Sequence, residues 1–472
     1  VTNFRDAPSV NPNLNFLPDF YTYNFDIINL LVLPLKRDSV FGRGHYTVND
    51  SLEFFAQGSW TQYSSASALA PTPVGTGVQN PATRTSVRNA TSALVEPGRR
   101  VGAFVVPITN PFIPADLRTI LASRTGNDAN LVGSGATEPF RISKRFLDTG
   151  LRQQNFDTEV IQGLFGVRGQ IAEGWRYEAY LSKGKTTIDV SLDGNVNVDD
   201  VQRLLEAPDG GASICAGGFN PFGVQPLSAA CLEYVSEPAA TKTEFTQDIY
   251  QGYISGELTE LPAGPLSIVL GAEHRKFEYR YDAGTLNGPI AGFNTGTDDF
   301  GTNTFTDFFG ELLVPLVQGG FVNSAELTLQ ARRSTSDFND IENGIDGDKN
   351  SSWAYGATLS VEATDEVRVR ASYQRSVRAP NFGELFSGGS SFPQYFDPCS
   401  RTTNFRQTGG AAATAICSAT GVGNTAQYAQ TPGSQAFLGI SGNPDLQPEK
   451  GETFTIGAVF QALGLTGSID YY

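Results

Sequence analysis

Apolar and polar side chains alternate with a period of two along much of this 472-residue chain, the mark of strands with one apolar and one polar face. From Trp353 onward, Trp353, Tyr355, Ala357, Leu359 and Val361 share one face, and Gly356, Thr358, Ser360 and Glu362 the other. After the turn Thr364, Asp365, Glu366, the residues Val367, Val369, Ala371 and Tyr373 alternate with Arg368, Arg370, Ser372 and Gln374. Leu266, Ile268, Leu270 and Ala272 stand likewise against Ser267, Glu273 and Arg275, and Ile161, Gly163, Phe165 and Val167 against Gln162 and Arg168. The pattern predicts antiparallel strands within residues 39–63, 143–190, 243–281, 302–337, 352–378 and 452–472. Leu359, Val361, Val367 and Val369 are expected to face outward into an apolar medium, and Glu273, Arg275, Arg368 and Arg370 inward.

Short turns alternate with long excursions. The turns fall at Asn49-Asp50, Ala172 to Gly174, Leu261 to Pro265, Gln318 to Gly320, Thr364 to Glu366 and near Leu463-Gly464. The excursions cover residues 64–142, 191–241, 282–301, 337–351 and 378–450. A soluble sandwich alternates residues too, but this asymmetry of connections is that of a transmembrane β-barrel with short periplasmic turns and long extracellular loops. The fold class expected is therefore all-β, an antiparallel transmembrane barrel. No helix competes for the membrane, since the best apolar run, Ile27 to Leu35, is broken by Asn29 and Pro34 and is far shorter than the ~20 residues required. The segments make about thirteen strands, against ~22 in plugged outer-membrane transporters, so the barrel is expected to be partial.

Composition sharpens this picture. A mean hydropathy of -0.20 suits barrel strands, which hide in average hydropathy. Aromatics at 11%, 51 glycines and only 17% charged residues fit aromatic girdles and many turns and disfavour disorder. A net charge of -16 without Lys/Arg clusters excludes a nucleic-acid-binding face. Methionine is absent even from position 1, and the first residues do not read as a positively charged, then apolar, secretory signal, so the chain is expected to derive from a longer precursor. The four cysteines form two local pairs, Cys215 with Cys231 and Cys399 with Cys417, each inside a long polar segment. Their spacing suggests two loop disulfides of an oxidising compartment; it lacks the Cys-x-x-Cys or nearby His of a zinc site.

Two motifs carry a family resemblance. Ser376 to Phe386 reads Ser-Val-Arg-Ala-Pro-Asn-Phe-Gly-Glu-Leu-Phe directly after a strand, with Arg378, Ala379, Pro380, Glu384, Leu385 and Phe386 in place. Gly442 to Lys450 reads Gly-Asn-Pro-Asp-Leu-Gln-Pro-Glu-Lys, with Asn443, Pro444, Leu446, Pro448 and Glu449 in place, and is followed by the strand Phe454 to Phe460. Together they resemble the barrel of TonB-dependent outer-membrane receptors, and weaker matches at Leu261 to Pro265, Gly271 to Arg275 and Asn220 to Gly223 extend the likeness over nearly the whole chain.

The resemblance implies a bacterial outer-membrane location and a 22-stranded type of barrel, of which residues 1–472 are a part. It implies energy-coupled uptake of a bulky, scarce nutrient: a siderophore, vitamin, carbohydrate or peptide. The partners implied are that ligand, the lipid bilayer with its lipopolysaccharide, and the TonB complex, reached through a plug and coupling segment not recognisable here. Tyr472 falls in mid-pattern, with Ile469 and Tyr471 still alternating with Ser468 and Asp470, so further strands are expected after it. A passive porin and a surface adhesin or binding scaffold are the rival readings; a plug sequence upstream discriminates both.

The residues themselves allow a purely architectural role for the motifs. Pro380 forces Ala379 extended and steers the strand out of its ladder, and Arg378 and Glu384 have charges that suit a pair. Pro444 and Pro448 prevent ladder pairing just before a strand, where Glu449 is placed to pair. Phe392, Tyr395, Phe396 and Tyr428 either stack on a sugar or chelate or pack on one another. No catalytic constellation is present: His45, on the lumen side, and His274, on the outer rim, lack an associated nucleophile, so no enzyme is expected. No cofactor is expected beyond a structural calcium. Asp189 to Asp200 resembles an EF-hand loop, with Asp189, Ser191, Asp193, Asn195, Asn197 and Asp200 at ligand positions and Gly194 at the turn. The same residues also fit a strand end, an Asp193-Gly194 turn and a helix capped by Asp199 or Asp200.

Overall fold

The computed structural model describes residues 2–4, 16–18, 28–74, 104–123, 137, 139–142, 144–222, 226–287, 290–293, 296–347, 349–386, 390–395, 397–401, 403–422, 428, 436–440, 442–462 and 464–472. Twelve long strands run in chain order: β1 (Leu35–Asn49), β2 (Leu52–Leu69), β3 (Arg152–Ala172), β4 (Trp175–Asp193), β5 (Ala239–Leu261), β6 (Gly264–Asp282), β7 (Asp299–Gln318), β8 (Ser324–Asp340), β9 (Asn350–Thr364), β10 (Val367–Arg378), β11 (Glu449–Ala462) and β12 (Leu465–Tyr471). Each pairs antiparallel with its neighbour in sequence, and a two-residue strand, Ile345–Asp346, adds to β8, so the described sheet has 13 strands. The outermost strands, β1 and β12, do not pair with each other.

The alternation seen in the sequence is kept in register from strand to strand. Glu273 on β6 lies opposite Asp307 on β7, and Ser360 and Glu362 on β9 lie opposite Arg370 and Arg368 on β10. These polar positions form one continuous face. The other face gathers the exposed apolar side chains, among them Ile161, Phe165, Leu181, Ile254, Leu270, Phe308, Leu329, Leu359, Val369, Ile456 and Ile469. So large an exposed apolar surface marks contact with an apolar medium rather than water. Leu359, Val361, Val367 and Val369 fall on it and Glu273, Arg275, Arg368 and Arg370 on the polar face, as the alternation predicts. Pro315, which has no N–H for the ladder, sits at a register shift in β7.

Strand ends depart from the sequence reading in one way. Most strands run past their predicted limits at the long-loop end, because ladder pairing continues where the apolar alternation has stopped; β2, for example, continues to Leu69. Residues 144–151 are the exception: after the short strand Lys144–Arg145 the chain turns, with Gly150 at φ 74°, before β3 begins at Arg152.

The larger of the two buried clusters lies outside the sheet, in the long loops. Helices α1 (Ala115–Ala122), α2 (Val198–Glu206) and α3 (Ala229–Val235) pack with the pair Phe104–Val106 and Phe140–Ile142 around Phe104, Phe146, Leu204, Leu205, Phe219 and Val201, all fully buried. Further along the chain come α4 (Phe382–Phe386), α5 (Asn404–Thr408) and α6 (Gly410–Ala419).

Candidate functional site

The two sequence motifs meet at the long-loop end of β10 and β11. Arg378 closes β10 opposite Glu449, the first residue of β11. Its Nε and Nη2 donate to Glu449 Oε2 and Oε1, both at 2.9 Å, and its Nη1 and Nη2 donate to Glu384 Oε2 and Oε1 at 3.0 and 2.9 Å. One guanidinium thus holds two carboxylates bidentately, the geometry that makes arginine-carboxylate pairs directional. Asn381 and Glu384 form a reciprocal capping box: Glu384 N donates to Asn381 Oδ1 and Asn381 N to Glu384 Oε2, both at 2.9 Å. The hydrogen bond from Arg378, then that from the Asn381 N–H, hold the Glu384 carboxyl below the ordinary glutamate pKa. Asn443 N donates to Glu384 O, which ties the Asn-Pro turn to the same helix.

This junction aims α4 inward. Phe382, Leu385 and Phe386 are buried together with Phe338 and pack against Tyr279 and Phe305 on the polar, inward face of the sheet. The ring of Phe382 lies 5.1 Å from that of Tyr279 and directly against Gly301, where a side chain would collide with it. Pro380 is buried, Pro444 and Pro448 stay outside the ladder, and Leu446 is exposed.

Both cysteine pairs are bridged, Cys215 to Cys231 and Cys399 to Cys417, with Cα separations of 5.0 and 5.6 Å. The first bridge lies in the loop core; the second ties α6 to the turn before α5. Within the core, Gln202 takes both backbone groups of Val105, accepting from N at 3.1 Å and donating to O at 2.7 Å. Buried Glu237 accepts from Asn197 Nδ2 at 3.1 Å and from Asn287 N and Nδ2 at 2.9 and 3.0 Å, which joins the loops after β4 and β6. These clamps close distances of tens of residues in sequence and have no local signal.

The six residues read as a calcium loop are not gathered. Asp189 stays in the β4 ladder between Asp157 and Lys242, and Ser191 and Asp193 continue it. Gly194 makes the turn at φ 77°, Asn195 Oδ1 accepts from Phe293 N, and Asn197 caps α2 through Asp199 N and Asp200 N. Asp200 pairs with Arg203 at 2.7 Å, and burial pushes its carboxyl above the ordinary aspartate pKa. No cluster of three metal-type ligands occurs among the described residues. An extended ladder keeps successive same-face carboxylates ~6–7 Å apart, and these residues lie as a strand end, a turn and a capped helix. The cap is Asn197, in place of Asp199 or Asp200.

Of the four loop aromatics, Tyr428 donates to Asp397 Oδ2 at 2.7 Å, and burial together with that carboxylate pushes its phenol up to about 12. Phe392 and Tyr395 lie in the strand Ser390–Tyr395, paired with Ala436–Ile440, and their side chains, like Phe396, are outside the described residues.

The polar face holds a further cluster of which the sequence showed half. Fully buried Asp307 pairs with Arg275 at 3.1 Å and with Arg332, and Glu273 pairs with Arg275 at 2.7 Å and Arg332 at 2.9 Å. The guanidinium groups of Arg275 and Arg332 lie 5.0 and 5.7 Å from the rings of Phe305 and Phe309. Beside it opens a hollow of about 340 Å³ lined by Phe309, Glu311, Gln330, Arg332 and Gln374. Asp307 and Arg332 are legible only once β6, β7 and β8 are aligned, because their ion-pair partners stand on other strands. His45 and His274 lie on opposite faces, His45 inward opposite Phe55 and His274 outward, bonded to Thr306 Oγ1 at 3.0 Å.

Comparison with known proteins agrees with this architecture. The family model for the TonB dependent receptor-like β-barrel matches residues 122–472. Among solved structures, the RagAB peptide importer is similar at 13% identity over 92% of this chain and 39% of its own, with a TM-score of 0.45. The Pseudomonas aeruginosa receptor FpvA, bound to heterologous pyoverdines, is similar at 10% over 93% and 41%, with a TM-score of 0.42. BauA, the ferric preacinetobactin receptor of Acinetobacter baumannii, is similar at 11% over 93% and 53%, with a TM-score of 0.37. The chain therefore spans about two fifths of the length of the first of these structures. No curated protein matches it.

Proposed function

The chain belongs to the TonB-dependent receptor β-barrel family, and from that premise we propose that it serves energy-coupled uptake of a bulky, scarce nutrient. As a member it is a bacterial outer-membrane protein, its short turns periplasmic and its long loops extracellular. Residues 1–472 act in this reading as barrel and loops, and the plug and TonB-contacting segment are supplied outside them. The family match over residues 122–472 carries the proposal. The polar inward face, with its paired charges and hollow, and the packed extracellular loops support it. The ligand binds at the loop end, where a large preformed surface suits something bulkier than a porin solute; a siderophore, vitamin, carbohydrate or peptide are the classes considered. Chemistry at this face is recognition, not catalysis.

Whole cells making the full-length protein are tested with labelled ferric siderophores, cobalamin, maltodextrins and oligopeptides, with and without a protonophore. One class is expected to accumulate only in producing cells and to stop accumulating when the protonophore is added. Protonophore-insensitive entry would indicate a passive pore, and surface binding without accumulation a scaffold; either result sinks the uptake reading.

A further inference from the structure

The hollow beside the charged quartet is built from two rows of the inward face. The register lines up Glu311, Gln330, Gly356 and Gln374 across β7 to β10, and Phe309, Arg332 and Ala354 form the next row toward the long loops. Its space of about 340 Å³ opens where β9 carries only Ala354 and Gly356 between longer side chains on both flanks. A Cβ at Gly356 would come within 2.9 Å of Gln330 Nε2, so the missing side chain lets Gln330 reach across β9. The ring of Phe309 lies over Gly271, where a Cβ would collide with it, and forms an apolar wall. Outward-facing Leu329 and Ala331 alternate with Gln330 and Arg332, and the next outward residue is Arg333. The hollow therefore lies level with the extracellular border of the apolar belt, within reach of a ligand coming from the loops.

Charge and hydrogen-bonding capacity select what fits. Every described arginine that faces inward on β6 to β12 is already matched by acid: Arg275 and Arg332 by Glu273 and Asp307, Arg368 by Glu362, Arg370 by Asp470, and Arg378 by Glu384 and Glu449. The quartet is thus neutral, while Glu311, exposed on the rim of the hollow, has no ion pair among the described residues. The site is left with a spare carboxylate and no spare cation, so an anionic ligand meets a like charge there. Its capacity for neutral groups is large. The amides of Gln330 and Gln374 each offer two donors and an acceptor and are bonded to no described residue. Arg332 makes its hydrogen bonds to Glu273 and Asp307 from Nη2, and its Nε and Nη1 donate to no described residue. A sugar ring matches this set: its hydroxyls both donate and accept, and its C–H face packs on an aromatic wall. The volume is at the lower end of the ~300–1,000 Å³ typical of small-molecule sites, which suits one ring rather than a whole chelate.

We propose that this hollow is a subsite for one pyranose ring of a neutral carbohydrate, with Glu311, Gln330, Gln374 and Arg332 meeting its hydroxyls and Phe309 its C–H face. The proposal rests on the uptake reading and names the class of nutrient within it.

The test is calorimetric titration of full-length protein purified from outer membranes with maltohexaose, cellohexaose, mannohexaose and xylohexaose, and with a galacturonate hexamer and hexalysine as charged probes. At least one neutral oligosaccharide is expected to bind, and the galacturonate hexamer to bind about tenfold or more weakly than the best of them. One neutral hydrogen bond is worth roughly fivefold in association, so Q330A/Q374A, which only shortens two side chains facing the lumen, is expected to lose about tenfold or more. Ala354→Leu fills the hollow and is expected to abolish binding. Both variants are scored only with the heat-resistant mobility of a folded barrel, and the comparison of probes on native protein stands even where a variant fails to fold. Binding of none of the neutral oligosaccharides, preference for the galacturonate hexamer or hexalysine, or native-like binding by either folded variant overturns the proposal. Accumulation in whole cells is read separately. Uptake of another class without saccharide binding removes the subsite and leaves the transport reading, whereas saccharide binding without accumulation removes the transport reading and leaves the subsite.

Discussion

The sheet and the extracellular loop unit hold together by opposite arrangements. The sheet exposes its apolar side chains to lipid and, on its inward face, pairs charges in the Glu273, Arg275, Asp307, Arg332 cluster. The loop unit buries its aromatic and aliphatic residues in the manner of a water-soluble domain, with Phe146 stacked on Phe219 at 6.0 Å and edge-on to Phe104 at 5.9 Å. Hydrogen-bonded ladders give the first its rigidity; apolar burial, a disulfide and polar clamps give it to the second. The lesson is that these loops form a packed body of their own, so the surface offered to a ligand is largely preformed.

If the two regions are held by separate forces, damage to one should spare the other. Phe219→Ala removes a fully buried ring from the loop core and is expected to cost that unit about 3–5 kcal/mol. Amides of α2 should then exchange faster while those of β3 and β4 keep their protection. Equal loss of protection in the strands would show a single cooperative body and remove the distinction.

The converse change charges the lipid face. Leu329 faces outward and Thr328 beside it faces inward. Leu329→Arg is expected to destabilise the barrel by about 2–4 kcal/mol in bilayers, and Thr328→Arg by much less, as measured by denaturant unfolding of vesicle-reconstituted protein. Comparable losses, or a larger one at Thr328, would mean that the register is displaced by one residue.

A third experiment addresses the bridge within the loop core. Replacing Cys215 and Cys231 together by Ser opens a link between residues 16 apart and is expected to weaken the loop unit by about 2–3 kcal/mol. Limited proteolysis should find new cuts between α2 and α3 with strand fragments unchanged. An unaltered digestion pattern would leave the bridge without a structural role.

These contrasts also explain what could be read beforehand. The faces of β6, β9 and β10 follow from strict period-two alternation, since one buried or lipid-facing side is enough to set register. The cysteine pairs were legible because each is local. The clamp of Gln202 on Val105, the hold of Asn197 and Asn287 on Glu237, and the addition of Asp307 and Arg332 to Glu273 and Arg275 were not, since their partners come together only through the fold. In the Asp189 to Asp200 stretch, ligand-like spacing says nothing of whether the first residues bend; here ladder pairing keeps them straight.

The smallest expected effect lies at the seam between the two regions, where Arg378 holds Glu384 and Glu449 and sets α4 against the inward face. Glu384 has a folded-state pKa below its ordinary value because its anion accepts from Arg378 and from Asn381 N. For a depressed carboxylate the stabilisation is complete above the unfolded pKa, about 4.3, and is lost as pH falls through the lower folded value. The junction should therefore be unchanged from neutral pH down to about 5 and loosen only on the acid side, below roughly pH 4. Hydrogen exchange of residues 381–386, corrected for intrinsic rates, followed from pH 6 to pH 3, should show this, with Glu384→Gln less protected at pH 6 and with a shallower acid-side loss. Glu449 shares the same guanidinium, so some acid sensitivity should persist in the variant. A native profile flat over that range, or a variant indistinguishable from native at pH 6, would mean that α4 is held by Phe382, Leu385 and Phe386 alone, and the seam would then belong energetically to the packed loops rather than to the ladder.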